Sequence, residues 1–216
     1  MNKNLTDIVF ILDRSGSMSG LESDTIGGFN SMLKKQRAGE GQVLISTVLF
    51  DHEIQVLHDR LPMDQVADLT GEDYQVRGCT ALLDAVGGAI HHIGNVHKYA
   101  REEDIPQKTL FVITTDGFEN ASRRYDYKKV QAMITRQQEK YGWEFLFLGA
   151  NMDAAKEAAR FGIREDHAAT YCCDSVGTAT NYEAISVAIS EARCCEEAPL
   201  SAIWRRNIDR DFKERG

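Results

Sequence analysis

Three short polar segments of the sequence carry the side chains best suited to bind a metal ion. Residues 13–17 read Asp-Arg-Ser-Gly-Ser, a second segment contains Thr80, and a third contains Asp116. Mg²⁺ favours near-octahedral oxygen coordination, keeps several waters and takes only one or two carboxylates. Carboxylates and hydroxyls fit that requirement, and neither a cysteine nor a histidine is expected close enough to attract a softer metal. The predicted metal ligands are Asp13, Ser15, Ser17, Thr80 and Asp116, with Mg²⁺ as the expected ion and Mn²⁺ or Ca²⁺ as alternatives.

Each of these segments is expected to lie where a strand ends or a helix begins. Residues 7–12 and 109–114 are nearly continuous apolar runs, typical of strands that are covered on both faces. Polar segments follow both runs directly, and Thr80 opens a helix expected over residues 80–96. Because open α/β sheets bind ligands outside the carboxyl ends of their strands, the three segments are expected to meet at one edge of the sheet.

The rest of the chain alternates between apolar runs and amphipathic stretches. A short polar step at Asp51-His52, between two β-rich runs, predicts a hairpin and therefore one antiparallel edge strand. The alternation predicts an α/β fold with a doubly wound, mostly parallel central sheet, that edge strand, and helices on both faces. Further strands are expected at 43–50, 53–57, 143–148 and 168–172, a short helix at 62–67, and longer helices at 21–35, 126–140 with a C-cap at Gly142, 154–162, and 180–193 with a capping box at Thr180.

Charge and composition limit the classes of partner. The chain of 216 residues has a formal net charge of −8 at pH 7, so it lacks the basic surface of a nucleic-acid-binding protein. No apolar run approaches the roughly 18 residues that span a bilayer, and the N-terminus has no signal-like run, so a cytoplasmic location without membrane attachment is expected. The five cysteines, with adjacent pairs at 172–173 and 194–195, fit reduced thiols, and a four-thiolate zinc site is the alternative.

The pattern Asp13-x-Ser15-x-Ser17, followed along the chain by Thr80 and Asp116, resembles the metal-ion-dependent adhesion site (MIDAS) of the von Willebrand factor type A (vWA) domain. The resemblance extends over residues 5–195. It includes the edge hairpin and the apolar strand that leads into Thr-Asp-Gly at 115–117. It implies the Rossmann-like vWA fold.

The resemblance also implies a role for each residue. In vWA domains the two serines and the threonine bind the ion directly, and the aspartates bind it directly or through water. Ser15, Ser17 and Thr80 are then direct ligands, while Asp13 and Asp116 act partly through water. An open coordination position is expected to take an Asp or Glu carboxylate of a protein partner. The chain is similar to stand-alone bacterial vWA domains, which implies an intracellular interaction or scaffold protein.

A Mg²⁺-dependent phosphoryl-transfer or hydrolytic enzyme on a Rossmann-like scaffold is the alternative function. The sequence has no Gly-x₄-Gly-Lys-[Ser/Thr] phosphate loop and no Gly-x-Gly-x-x-Gly after a strand. A phosphatase with paired aspartates would need a second carboxylate two residues after Asp13, where Ser15 stands. A metal-dependent protein-binding module is therefore expected rather than an enzyme. The purely structural alternative is that Asp13 and Ser15 cap the first helix and that 116–117 is an ordinary turn.

Several nearby residues allow more than one interpretation. Arg14 is expected either to steer an acidic partner or to point into solvent, and Cys79 is expected to be tolerated when reduced. Asp51 and His52 are assigned to the hairpin turn. Glu119 and Asn120 are assigned to a solvated loop, and the alternative is that they form a second layer of contacts around the ion. His91, His92 and His97 are assigned to the surface.

The chain is expected to form one vWA domain over residues 1–198, with a charged tail over 199–216. Pro199 marks the expected boundary. The tail contains Trp204 and is expected either to pack back as an extra helix or to dock a partner.

Overall fold

The computed structural model describes residues 1–194 and 200–216, and its centre is a sheet of six strands. The strands are β1 (Asn2–Asp13), β2 (Gln42–Phe50), β3 (Ile54–Pro62), β4 (Pro106–Thr115), β5 (Glu144–Ala150) and β6 (Ala168–Tyr171). The helices are α1 (Glu22–Arg37), α2 (Leu82–Tyr99), α3 (Tyr127–Tyr141), α4 (Ala154–Arg160), α5 (Ser175–Cys194) and α6 (Arg206–Arg215). None of these described helices is long and apolar enough to cross a membrane.

The strand order is β3-β2-β1-β4-β5-β6, which places β1 and β4 side by side at the centre. All neighbouring strands are parallel except β2 and β3, which form the antiparallel hairpin at one edge. The chain runs outward from β1 in one direction and then outward from β4 in the other. This is the doubly wound, mostly parallel sheet with one antiparallel edge strand that the sequence predicts, and the prediction is confirmed.

The central strands are buried on both faces, which explains why their apolar residues do not alternate with polar ones. Ile8, Phe10 and Leu12 pack into a core that includes residues of α1, α5 and α6. Their neighbours Val9 and Ile11 point to the other face, into a core formed with α2, α3 and α4. Helices therefore cover both faces, as predicted, and β1 is held rigidly up to its last residue.

Two predicted helices differ from the observed elements. The helix predicted from the capping box at Thr180 begins at Ser175, because the Asp174 carboxylate accepts a hydrogen bond from the Gly177 N–H at 2.7 Å and starts the helix earlier. Thr180 lies inside α5, where its hydroxyl donates to the Val176 carbonyl. The short helix predicted over 62–67 is a single 3₁₀ turn, Met63–Gln65, followed by extended backbone. The predicted C-cap at Gly142 is confirmed by its left-handed backbone, with φ of +65°.

The end of the chain packs against the domain. Leu200, Trp204 and Ile208 are buried in the core that also contains α1 and α5. The Arg215 guanidinium, near the end of α6, pairs with Asp174 at 2.6 Å. The predicted boundary at 198/199, including Pro199, and the residue Cys195 lie outside the described residues.

Two adjacent glycines in α1 give a matched test of this packing. A methyl group added at Gly28 would lie 2.3 Å from Cδ2 of the buried Tyr182, whereas one added at Gly27 meets nothing within 4 Å. Gly28→Ala should therefore destabilise the protein by about 1–3 kcal/mol, because α1 and α5 must move apart. Gly27→Ala should stabilise it by about 0.5–1 kcal/mol through helix propensity. Urea denaturation measures both, and equal effects would contradict this packing.

Candidate metal centre

The five residues predicted as metal ligands come together at the carboxyl edge of the central strands. Asp13 is the last residue of β1, and Asp116 directly follows β4. Because Leu12 is in register with Thr114, the ends of β1 and β4 leave the sheet side by side. Thr80 lies two residues before α2, on the third loop of this edge.

The hydroxyl groups of the three loops converge on one point. The Ser15 and Ser17 Oγ atoms are 3.1 Å apart, and the Ser17 hydroxyl donates to Asp116 Oδ1 at 2.5 Å. A methyl group added at Gly117 would lie 2.8 Å from Thr80 Oγ1, 3.3 Å from Ser17 Oγ and 3.7 Å from Ser15 Oγ. Glycine is therefore required at 117 to leave room between these oxygens. The result is a compact set of hydroxyls beside a carboxylate.

Asp13 is 1% exposed and is held by neutral donors. Its Oδ1 accepts the Ser15 N–H at 2.7 Å, and its Oδ2 accepts the Thr115 hydroxyl at 2.5 Å. Burial raises the pKa of Asp13 to about 6, against the hydrogen bonds from Thr115 and Ser15, which lower it. Burial also raises the pKa of Asp116, against the hydrogen bond from Ser17. A divalent cation would supply the compensating charge, so the oxygen donors present fit such an ion.

The helix-capping alternative for Asp13 and Ser15 is wrong. Helix α1 begins only at Glu22, and its N-cap residue, Leu21, makes no side-chain capping bond. Ser15 precedes a single 3₁₀ turn and likewise makes no side-chain capping bond there. The two side chains instead face the other oxygens of the site.

Arg14 does not point into solvent, so that interpretation of this residue is wrong, while the steering of a partner stays a prediction. Arg14 is 4% exposed. Its Nε donates to Asp51 Oδ2 at 2.9 Å and its guanidinium also donates to Gln55 at 2.6 Å. The Arg14 side chain points away from the oxygen cluster formed by its neighbours. It reaches the β2–β3 hairpin and pairs there with a buried carboxylate.

The loop after Gly117 is hydrogen-bonded to the start of α2, while Asn120 itself is exposed, as the solvated-loop assignment predicts. Asn120 Oδ1 accepts the Thr80 N–H at 2.9 Å, and the Asn120 N–H donates to the Thr80 carbonyl at 3.0 Å. Glu119 Oε2 accepts the Leu83 N–H at 2.8 Å, in the first turn of α2. These contacts hold the backbone of Thr80 in place, and a second layer of contacts around an ion stays a prediction.

Cys173 is a neighbour of the site that the sequence analysis missed. Its Sγ lies 4.0 Å from Asp116 Oδ2, the carboxylate oxygen that does not accept from Ser17. The expectation that no cysteine lies near the oxygen ligands is therefore wrong. The signal that could have found it is its position, because Cys173 follows the last strand at the same carboxyl edge.

Asp51, His52 and Glu53 offer ligand atoms that all lie within 4.8 Å of one another. Two guanidinium groups already occupy this place, since Asp51 Oδ2 accepts both Arg14 Nε at 2.9 Å and Arg77 Nε at 3.0 Å. Burial raises the pKa of Asp51, but the Glu53 N–H and the two arginines outweigh it and hold the pKa below its ordinary value. The group is an ion-paired turn, which agrees with the hairpin assignment of Asp51 and His52.

The surface assignment of the α2 histidines holds for two of the three. His91 and His92 are exposed. His97 is not: its side chain is 11% exposed and its Nε2 lies 3.0 Å from Oδ2 of the fully buried Asp7. The His97 ring packs edge-on against Trp143, and it lies far along α2 from Thr80.

One side of the site opens to solvent. Ser17 is exposed and Asp116 is half-buried, in contrast to Asp13, Ser15 and Thr80, which are buried. Phe118, directly after Gly117, is 59% exposed. An incoming group can therefore approach the hydroxyl cluster from the Ser17 side and meet an aromatic ring beside it.

No protein-family model matches the sequence, and no curated protein does. Solved structures match over most of the chain. The vWF domain of the type V pili tip protein Mfa5 from Porphyromonas gingivalis is 15% identical, with a TM-score of 0.60 over 90% of this chain and 98% of that chain. A von Willebrand factor type A structure from Catenulispora acidiphila is 14% identical, with a TM-score of 0.59 over 88% of this chain and 43% of that chain.

Proximal thread matrix protein 1 from the mussel byssus, solved with a zinc-occupied MIDAS motif, is 12% identical, with a TM-score of 0.59 over 86% of this chain and 48% of that chain. The present chain thus spans about half the length of the mussel protein. These likenesses place the fold in the doubly wound, Rossmann-like class. Within that class the fold is that of the von Willebrand factor type A domain.

Gly117 provides a test of the oxygen cluster that removes no ligand. Gly117→Ala should weaken Mn²⁺ binding by about tenfold or more, because the new methyl group displaces the Thr80 and Ser17 hydroxyls. Gly88→Ala is the control, since a methyl group there meets nothing within 4 Å. Titration of Mn²⁺ followed by electron paramagnetic resonance measures the affinity. Equal binding by both variants would show that an ion does not use this cluster.

The raised pKa of Asp13 predicts how the stability of the metal-free protein depends on pH. The folded state binds the proton more tightly than the unfolded chain, where the value is 3.8, so this contribution is complete below 3.8 and lost as the pH rises through about 6. In EDTA the stability of the wild type relative to Asp13→Asn should fall by roughly 3 kcal/mol across that window. Saturating Mg²⁺ should remove the fall, and a pH-independent difference in EDTA would contradict the expectation.

Proposed function

We propose that this protein is a metal-ion-dependent protein-binding module whose divalent ion is held by Asp13, Ser15, Ser17, Thr80 and Asp116. The observation that carries the proposal is the convergence of three hydroxyls and a carboxylate from three loops around Gly117. Ser15, Ser17 and Thr80 would be the direct ligands. Asp13 and Asp116 would balance the charge and hold water or the ion itself.

Mg²⁺ is the ion we propose for the site. All five side chains offer oxygen, and the hydroxyls are neutral, so the ion would keep most of its attraction for a further anionic oxygen. The Cys173 thiol near Asp116 makes zinc the ion to compare. When bound, the ion supplies a positive centre at the solvent-open side of the cluster.

The partner we propose is a protein that presents an Asp or Glu side chain. A carboxylate would complete the coordination of the ion, and a charge-assisted contact of this kind is stronger than a neutral hydrogen bond. Phe118 would give the surrounding partner residues an aromatic surface to pack against. The buried Arg14 takes no part in this contact, because Asp51 holds it behind the loop.

A binding role fits the site better than catalysis. The Asp13 carboxylate accepts hydrogen bonds from Ser15 and Thr115 and is buried, so it is not free to act as a base or nucleophile. Glu119 accepts the Leu83 N–H at the start of α2 and the Ala121 and Ser122 N–H groups of its own loop. Asp13 and Glu119 are therefore engaged by groups of the neighbouring loops, and Asp116 accepts the Ser17 hydroxyl.

We also propose that the protein works in a reducing compartment such as the cytoplasm. The described cysteines, Cys79, Cys172, Cys173 and Cys194, are free thiols. The adjacent Cys172 and Cys173 lie beside the metal-binding edge, where oxidation would disturb the approach to Asp116.

Calorimetric titration with Mg²⁺ and Mn²⁺ tests the proposal. The wild type should bind one ion, and Ser15→Ala/Ser17→Ala should lose binding, because two of the three hydroxyl ligands are removed. Ser19→Ala, an exposed serine in the same loop, is the matched control and should bind as the wild type does. Equal binding by wild type and double variant would overturn the metal assignment.

Affinity capture from the native host tests whether a protein partner binds through the ion. A partner that binds through the ion should be retained by wild-type protein in Mg²⁺ and released by EDTA, and the serine double variant should not retain it. A partner retained equally in EDTA would bind elsewhere on the surface.

A further inference from the structure

Asp51 is a fully buried carboxylate outside the set of metal ligands, and it joins two positively charged side chains. Its Oδ2 accepts Arg14 Nε at 2.9 Å and Arg77 Nε at 3.0 Å. Its Oδ1 accepts the Glu53 N–H at 2.7 Å, which fixes the carboxylate in the turn between β2 and β3. One rigid carboxylate therefore serves both guanidinium groups.

The two arginines belong to the two loops that carry the hydroxyl ligands. Arg14 stands between Asp13 and Ser15, and Arg77 stands three residues before Thr80. Backbone hydrogen bonds also join these two loops. The Arg77 N–H donates to the Arg14 carbonyl at 2.9 Å, and the Gly16 N–H donates to the Gly78 carbonyl at 3.1 Å. The Asp51 carbonyl also accepts the Ala81 N–H at 2.8 Å, next to Thr80.

Charge gives Asp51 a second effect on the same loops. A guanidinium one residue from two metal ligands would repel a divalent cation, and burial would make that repulsion stronger than in water. Arg14 is 4% exposed, so solvent cannot screen it. Pairing with Asp51 both turns the side chain away from the oxygen cluster and cancels its charge.

From these contacts we propose that Asp51 is a positioning residue for the metal site: its shared ion pairs with Arg14 and Arg77 hold the Ser15–Ser17 and Thr80 loops at the separation that an ion needs. The inference rests on the proposed metal-binding function. It assigns no contact between Asp51 and the ion. Asp51 then holds the two loops together through its arginine pairs, and the Asp51, His52 and Glu53 group does not bind a second ion.

The first test replaces the carboxylate by a neutral amide of the same shape. Asp51→Asn should weaken Mn²⁺ binding by about 10- to 100-fold, the range for changes in residues that orient metal ligands. Glu53→Gln is the control: Glu53 is exposed and also pairs with Arg77, but it makes no contact with Arg14, so its loss should change affinity less than about twofold. Thermal unfolding in EDTA shows that each variant is folded at the titration temperature.

Arg77→Gln separates positioning from general stabilisation, because its effect should change sign with the background. In the wild type it should weaken Mn²⁺ binding by about threefold, since one tie to the Thr80 loop is lost, although a positive charge near the ion is also removed. In the Asp51→Asn background it should strengthen binding, since Arg77 there keeps only its surface pair with the exposed Glu53 and its charge is no longer balanced by the buried carboxylate. A residue that merely stabilised the fold would give losses in both backgrounds.

The outcomes separate this inference from the function beneath it. Failure of the wild type to bind Mn²⁺ would remove the proposed function and this inference together. Wild-type binding with unchanged affinity in Asp51→Asn would overturn only the role of Asp51, as would binding of a second ion that Glu53→Gln abolishes. If Asp51→Asn does not fold, stronger Mn²⁺ binding by Arg77→Gln alone overturns the inference, and weaker binding supports it.

Discussion

The site depends on the parallel pairing of β1 with β4. With Leu12 in register with Thr114, the first residues beyond both strands emerge together, and the Thr115 hydroxyl reaches Asp13 across the strand boundary. A parallel neighbour is needed for this, because an antiparallel pair would place the two carboxyl ends at opposite edges. The burial of β1 on both faces then makes the position of Asp13 as rigid as the core itself. The oxygen cluster is thus a consequence of where two buried strands stop.

Electrostatics at this edge divides the carboxylates into two kinds. Asp51 is paired with arginines, and its pKa is held low. Asp13 and Asp116 receive only neutral donors among the described residues, and burial raises the pKa of each. A cation would relieve the unfavourable burial of the Asp13 and Asp116 carboxylates. Because the arginines are committed to Asp51, they do not neutralise Asp13 and Asp116 in place of the ion.

Much of the fold and the identity of the oxygen cluster follow from the sequence. The continuous apolar runs of β1 and β4 require burial on both faces, and the polar step at Asp51-His52 requires a turn. Those constraints are local and fix the sheet class and the edge hairpin. Gathering Asp13, Ser15, Ser17, Thr80 and Asp116 then needs only the rule that loops meet at the carboxyl edge. The start of α5 was missed because two residues, Asp174 and Thr180, both suit an N-cap, and the capping bond from Gly177 forms at the earlier one.

The directions of individual side chains could not be predicted in the same way. Arg14 has a long polar side chain in a loop, which normally implies solvent, and only the position of Asp51 on the neighbouring hairpin explains its burial. Cys173 lies beside Asp116 only because β6 ends two strands away from β4 at the same level. Glu119 and Asn120 resemble any polar loop, and only the positions of the Leu83 N–H in α2 and of the Thr80 N–H just before it explain their contacts. Each of these contacts joins segments distant in sequence, and no local pattern records them.

The contacts around the oxygen cluster explain why a site built from loops can be ordered. Loops are usually the least rigid parts of a domain, and a metal site tolerates little error in the spacing of its ligands. Here the loops that carry the oxygen cluster are attached to neighbouring segments. The β1 loop is tied through Arg14 to the β2–β3 turn, and the Thr80 segment is tied through Asn120 to the loop after β4. Ser17 alone remains exposed, with its hydroxyl on Asp116. The ordered cluster therefore faces solvent at one place, and that place is where a partner's carboxylate could reach an ion.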